Sequence, residues 1–168
     1  MAKENDFNDY DVIIQRFWPN IVHSASGYEI RPALREELAQ EMALEVWRGL
    51  PRFNNKSTLK TYIYRIIHNV GVDHIRRYSR ASETMLDSEL LDENSSLETA
   101  LQYDQRQEQL ALMLQRLPLS LRQVLMLKLE DLSNIEISDV LGLSESNVAV
   151  RLNRAKHKLS ELMAGVDK

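Results

Sequence analysis

Between Pro32 and Leu50 the apolar side chains Leu34, Leu38, Met42 and Val46 recur four residues apart, with Ala39, Ala43, Trp47 and Leu50 widening the stripe. Spacing of three and four residues lines one face of an α-helix, and a helix so patterned must bury that face against a neighbour. Two more stretches repeat the spacing. One runs from about Asp9 to Ser24 and carries Val12, Ile13, Phe17, Ile21 and Val22; the other runs from about Thr58 to Tyr78 with Leu59, Ile63, Ile66, Ile67, Val70 and Ile75. The pattern predicts three antiparallel helices around one small interior. Further on, residues 104–116 read as a helix. Pro118 suits the first turn of the next, which carries Leu121, Val124, Leu125, Leu127 and Leu129. With only 5 Gly and 4 Pro, no strand or hairpin signal competes.

The intervening residues 79–103, SRASETMLDSELLDENSSLETALQY, are rich in Ser, Asp and Glu and keep no apolar period, which is the composition of a linker. The expected fold class is therefore all-α: two small helical domains, 1–78 and 104–168, joined by an acidic tether at 79–103. A chain of 168 residues can hold two such units, each with a modest core. The net charge of −4 is unevenly spread. Residues 1–78 carry eleven Lys and Arg against ten Asp and Glu, residues 79–103 carry one against six, and residues 104–168 nine against nine. The acidity belongs to the tether, so the flanking domains remain free to meet an anionic partner. No apolar run approaches the roughly 20 residues of a membrane helix. The start, MAKENDFNDYDVIIQ, lacks the pattern of a secretory signal. Without cysteine there are no disulfides or thiolate zinc sites. A cytoplasmic location without membrane insertion is expected.

The segment EDLSNIEISDVLGLSESNVAVRLNRAKHKL (130–159) is punctuated differently. Ser133 followed by Glu136 has the spacing of a capping box, so a helix is expected to start there, and Ser144 opens another with Asn147 in place of Glu or Gln. Gly142 lies between them, where a left-handed residue ends one helix and aims the next across it. The product is a helix-turn-helix, whose second helix is the one laid into the major groove of DNA. In that second helix Val148, Leu152, Ala155 and Leu159 form the buried stripe. This leaves Glu145, Ser146, Asn147, Arg151, Arg154, Lys156 and Lys158 to face a groove. Lys156 and Lys158 suit phosphates, whereas Arg151, Asn147 and Glu145 have the hydrogen-bonding groups to read guanine, adenine and the cytosine amino group. Basic residues near a helix C-terminus also complement its dipole, so this segment alone leaves DNA binding and a solvated surface both open.

Catalysis finds little support. His23, His68, His74 and His157 form no HExxH pattern, and His68 and His74 point roughly 240° apart at about 100° per residue. There is no glycine-rich phosphate loop, G-x-S-x-G elbow or cysteine nucleophile. No metal, cofactor or catalytic residue is expected.

Several segments taken together resemble the bacterial sigma-70 family, specifically the short extracytoplasmic-function (ECF) sigma factors. They are ELAQEMALEVWRGL (37–50), RF (52–53), STLKTYIYRIIHNVGVDHIRR (57–77) and LPLSLRQVLMLKLEDLSNIEISDVLGLSESNVAVRLNRAKHKL (117–159). The similarity spans about Asp9 to Leu162 in order. It implies sigma region two, a linker and sigma region four, in a dissociable, non-catalytic subunit of RNA polymerase that selects promoters and helps open them. The resemblance assigns Glu37, Gln40, Glu41, Leu44 and Arg48 to the clamp helices of the largest polymerase subunit. It assigns Lys60, Arg65, Asn69, Arg76 and Arg77 to the minus-ten element, Asn69 at the position that meets a flipped-out base. Arg80 would add charge, and Tyr62, Tyr64 and Tyr78 would offer faces for unstacked bases; Tyr62 stands where the family usually has Trp. In region four this chain has Asn147-Val148-Ala149-Val150-Arg151-Leu152 where relatives commonly have Thr-Val-Lys-Ser-Arg-Leu. Ala149 removes a cation and alters the expected minus-35 preference. The helix beginning at Pro118 would meet the flap of the second-largest subunit, the acidic tether would be drawn into positively charged polymerase channels, and an anti-sigma factor would use the same exposed faces. The nearest rival is a stand-alone helix-turn-helix repressor, which would dimerise on a palindrome, whereas a sigma factor should be monomeric when free.

Overall fold

In the computed structural model, residues 4–84 and 105–166 are described. Among them run seven α-helices: α1 (Glu4–Tyr28), α2 (Pro32–Gly49), α3 (Leu59–Thr84), α4 (Gln105–Gln115), α5 (Leu119–Leu129), α6 (Asn134–Leu141) and α7 (Glu145–Val166). A 3-10 turn, Leu50–Arg52, follows α2, and no strand occurs among the described residues. The class is the expected all-α.

Helix ends follow local chemistry. Thr58 precedes α3 and its hydroxyl accepts the Thr61 N–H at 3.2 Å. Ser133 caps α6, accepting from the Glu136 N–H at 3.2 Å, and the Ser144 hydroxyl accepts the Asn147 N–H at 3.1 Å. Gly142 is left-handed (φ 68, ψ 36) and its N–H closes on the Ser138 carbonyl at 2.9 Å. A side chain there would strain the backbone.

Several boundaries and stripes differ from expectation. α1 extends beyond Asp9 and Ser24 and contains Pro19, whose missing N–H leaves the Gln15 carbonyl without its helical donor. α3 continues past Tyr78 to Thr84, and from residue 85 the expected linker lies outside the described residues. Pro118 is the residue before α5 rather than its first turn. The Ser133–Glu136 box is realised in one direction, because the Glu136 carboxylate pairs instead with Lys60 at 3.2 Å. Val12 (58% exposed), Val22 (37%), Trp47 (36%) and Leu129 (53%) lie outside the core they were expected to join. Each sits at the margin of its stripe, beyond the arc that neighbouring helices cover.

In the first half, Ile21 of α1, Leu38, Met42 and Val46 of α2, and Ile63 and Ile67 of α3 are at most 1% exposed. Burying each such side chain is worth roughly 1.5–3 kcal/mol. Gly71 lets Tyr28, the last residue of α1, lie flat on α3: a Cβ there would sit 2.5 Å from the Tyr28 ring. In the second half, Val124 and Leu127 of α5, Ile137 of α6 and Val148 and Ala155 of α7 are wholly buried. Buried apolar residues of both halves belong to one contiguous cluster.

Candidate DNA and polymerase interfaces

On α7 the predicted stripe is buried, with Val148 and Ala155 at 0% and Leu152 at 4%, and Leu159 half-buried. At about 100° per residue, Asn147, Arg151, Arg154 and Lys158 share one edge of the remaining surface. Ser146 lies at its centre beside Val150, which is 46% exposed. Glu145 and Lys156 fall on the opposite edge. Arg151 Nε donates to Asn147 Oδ1 at 3.2 Å, so a hydrogen bond joins the two candidate base readers. This basic edge meets the requirement of a groove-reading helix for donors held by a rigid, buried backbone.

On α3 the same arithmetic aligns Arg65, Asn69 and Arg76, all exposed, with Arg77 at the margin. Arg76 approaches Asp73 at 3.8 Å. Arg77 donates to both carboxylate oxygens of Glu41 at 3.0 and 3.1 Å. Lys60 does not join this row. It lies half a turn away and pairs with Glu136 of α6, while Arg65 Nε donates to the Asp139 carbonyl at 2.9 Å. The tyrosines separate by role. Tyr64 is 1% exposed, so it is a core residue and not a face for bases, and burial pushes its phenol above the ordinary range. Tyr62 donates to the Gly49 carbonyl at 2.7 Å and packs on Phe53. Tyr78 is 38% exposed, with Arg31 stacked 5.0 Å above its ring. The side chain of Arg80 is not among those described.

On α2, Glu37, Gln40, Leu44 and Arg48 are exposed along one strip, and Glu41 is half-buried at its edge. Leu44, 45% exposed, and Trp47 make an apolar spot within it. A hollow of about 290 Å³ lined by Glu37, Glu41, Arg77 and Tyr78 joins this strip to the end of α3. The surface expected to meet polymerase therefore touches the surface expected to meet DNA.

Buried polar residues occupy the interior behind these faces. His68 is 3% exposed, receives or donates a hydrogen bond at the Tyr28 hydroxyl, and is held neutral by burial with its pKa lowered to about 4. Burial alone would raise Glu29, yet hydrogen bonds from Arg31 and the contact with His74 outweigh it and keep its carboxyl below the ordinary range. These histidines are spoken for by structural partners, and no cluster of three potential metal ligands occurs among the described residues. Sequence reading missed Arg122. Only 8% exposed, it donates to the carbonyls of Leu114 (2.8 Å), Leu117 (3.0 Å) and Gln115 (3.1 Å), closing the C-terminal end of α4, and reaches that of Gly27 at 3.4 Å. An arginine inside the apolar run of α5 was the available signal.

A basic-edged helix-turn-helix packed beside a three-helix unit with exposed arginines and an exposed polar strip defines a helical DNA-binding protein with a further docking face. Residues 13–81 match the family Sigma-70 region 2, and residues 107–159 match Sigma-70, region 4. The chain is similar to the RNA polymerase sigma factor YlaC of Bacillus subtilis, 30% identical over 76% of each chain. It is also similar to the RNA polymerase sigma-H factor of Pseudomonas aeruginosa, 24% identical over 96% of this chain and 90% of that one. Its fold is that of the sigma factor RpoE from Bartonella quintana, solved in complex with the anti-sigma factor NepR: TM-score 0.71, 18% identity, covering 93% of this chain and 97% of that one. The chain belongs to the sigma-70 family and is an ECF-type RNA polymerase sigma factor. It serves promoter-directed initiation of transcription as a regulatory subunit.

Proposed function

We propose that residues 1–78 bind core polymerase and the minus-ten element, that residues 104–168 bind the minus-35 element, and that 79–103 serve as an acidic tether between them. Asn147, Arg151, Arg154 and Lys158 read the minus-35 duplex, with Ser146 at the centre of the contact and Glu145 and Lys156 at its opposite flank. Arg65, Asn69 and Arg76 hold the melted strand, Arg77 joins them when Glu41 releases it, and Lys60 adds long-range attraction. Glu37, Gln40, Glu41, Leu44 and Arg48 dock on the clamp helices of the largest subunit, and the surface around α5 meets the flap of the second-largest. The protein works in the cytoplasm, has no chemistry of its own, is monomeric when free, and is held in check by an anti-sigma factor, as RpoE is found with NepR. The observation that carries this reading is the rigid edge of α7, where one buried stripe fixes four donor-bearing side chains in line. Run-off transcription with core polymerase on a pool of random promoters tests it. Specific transcripts are expected only with both components present. Equally specific DNA binding by the isolated chain would favour the repressor instead.

A further inference from the structure

Opposite the buried stripe of α7 stands an apolar side chain rather than a donor. At about 100° per residue, Val150 lies roughly half a turn from the midpoint of Val148, Leu152, Ala155 and Leu159, so it projects directly away from the packed side of the helix. It falls within the first two turns of α7 and is 46% exposed, although Val148 and Leu152 on either side are at 0% and 4%. Residues three and four positions away are its neighbours on the helix surface. Here they are Ser146, Asn147, Asn153 and Arg154, all polar and all exposed. Two of them are drawn along their own chain: Ser146 Oγ lies 3.3 Å from the Ser144 hydroxyl, and Asn147 Oδ1 accepts from Arg151 at 3.2 Å. An isopropyl group therefore occupies the crest of the groove-reading face, ringed by polar groups.

The second helix of a helix-turn-helix meets base edges with the residues of its N-terminal part, and the side chain opposite the packed face goes deepest into the groove. Valine has no donor and no acceptor, so what it recognises at that depth is apolar. The major groove offers one such group, the 5-methyl of thymine. A C·G pair at the same place would set the cytosine amino group or the guanine O6 beneath the isopropyl group. Either would lose water and gain no partner, the situation that makes a buried polar group costly. Arg154 and the Arg151–Asn147 pair on the flank supply donors and positive charge, but an arginine on a phosphate carries no sequence information. Discrimination at the crest falls to Val150.

We propose, resting on the minus-35 reading of α7 given above, that Val150 is a specificity-determining residue of this chain and selects a T·A pair by apolar contact with the thymine methyl group. The ring of exposed polar neighbours anchors to the backbone and to adjacent bases, and the valine decides which pair fits beneath the crest. Because the contact is uncharged, it releases no counterions and adds choice of sequence without adding attraction to DNA in general.

Core polymerase loaded with the full chain is used to select from a pool of duplex promoters randomised across the upstream element, and the retained sequence becomes the probe. Each thymine of its minus-35 element is then replaced in turn by deoxyuridine, which deletes the methyl group and keeps the pairing. At one thymine, retention by the holoenzyme is expected to fall roughly fourfold, the transfer value of one buried methyl-sized group. A C·G pair at that place is expected to cost roughly tenfold or more. Val150→Ala should hold the thymine and deoxyuridine duplexes equally, whereas Val150→Ile should keep the difference between them. Position 150 is exposed and alanine is a strong helix former, so loss of the fold does not account for the alanine result. No thymine in the retained element, no loss at any of its thymines, or a loss that persists in Val150→Ala overturns the role of Val150 and leaves the sigma-factor reading intact. If the holoenzyme retains no sequence beyond what core polymerase alone retains, the sigma-factor reading itself falls, and the assignment of Val150 with it.

Discussion

Replacing Arg122 with methionine keeps most of the side-chain volume in α5 and removes every donor. Four carbonyls then lose a partner, but not equally. Leu114 still accepts from the Leu117 N–H at 3.1 Å, and Gly27 keeps Gln115. The Leu117 and Gln115 carbonyls lose the guanidinium nitrogen that serves them both. At about 1–1.5 kcal/mol for each unsatisfied acceptor, less what is recovered by no longer burying a guanidinium, the net cost is about 2 kcal/mol. For a chain of this size that corresponds to roughly 4–8 °C in Tm. Urea titration and thermal melting followed by circular dichroism would measure it, and Arg122→Lys should lie between, since one ammonium cannot reach all the carbonyls. A loss below about 0.5 kcal/mol, the range of an ordinary surface substitution, would refute the claim that Arg122 closes α4.

His68 makes stability depend on acid. With the folded pKa near 4 and the unfolded one near about 6.5, only the unfolded chain takes up this proton as pH falls between them. Stability is full above the upper value, declines through the window and levels off below the lower one, losing up to about 3 kcal/mol; His68→Gln should flatten that part of a stability–pH curve, and an unchanged curve would exclude His68 as its cause. Arg151→Ala should cost about 1–3 kcal/mol at one minus-35 base pair and far less on random DNA; uniform loss on both would reassign it to phosphate. Asn69→Ala should leave duplex engagement intact and impair strand opening in a fluorescence assay, and normal opening would remove Asn69 from base capture.

Much of this was legible in the sequence because its causes are local. Ser133, Gly142 and Ser144 act on backbone groups within four residues, so residue order alone locates the turn of the helix-turn-helix. The stripe Val148, Leu152, Ala155 and Leu159 follows from the helical period alone, and so does the strip on α2. Errors gathered where a local pattern met a distant partner. Glu136 had the spacing to complete a capping box, but Lys60, 76 residues earlier, offers a charge that a backbone N–H does not. Tyr64 carried the same helical spacing as an exposed aromatic until Asn20 and Glu130 gave its hydroxyl half-buried partners.

The amino-acid order by itself determined the helical class, the caps at Ser133, Gly142 and Ser144, the buried face of α7 and the sigma-70 motifs, since each depends on neighbours a turn or two away. Tertiary structure alone decided which polar side chains would be inside, that Arg122 would close α4, and that the two halves would lie together. Those outcomes turn on pairs up to 110 residues apart, such as Asn20 and Glu130. Whether such a pair forms depends on how whole helices pack, and no periodicity along the chain encodes that.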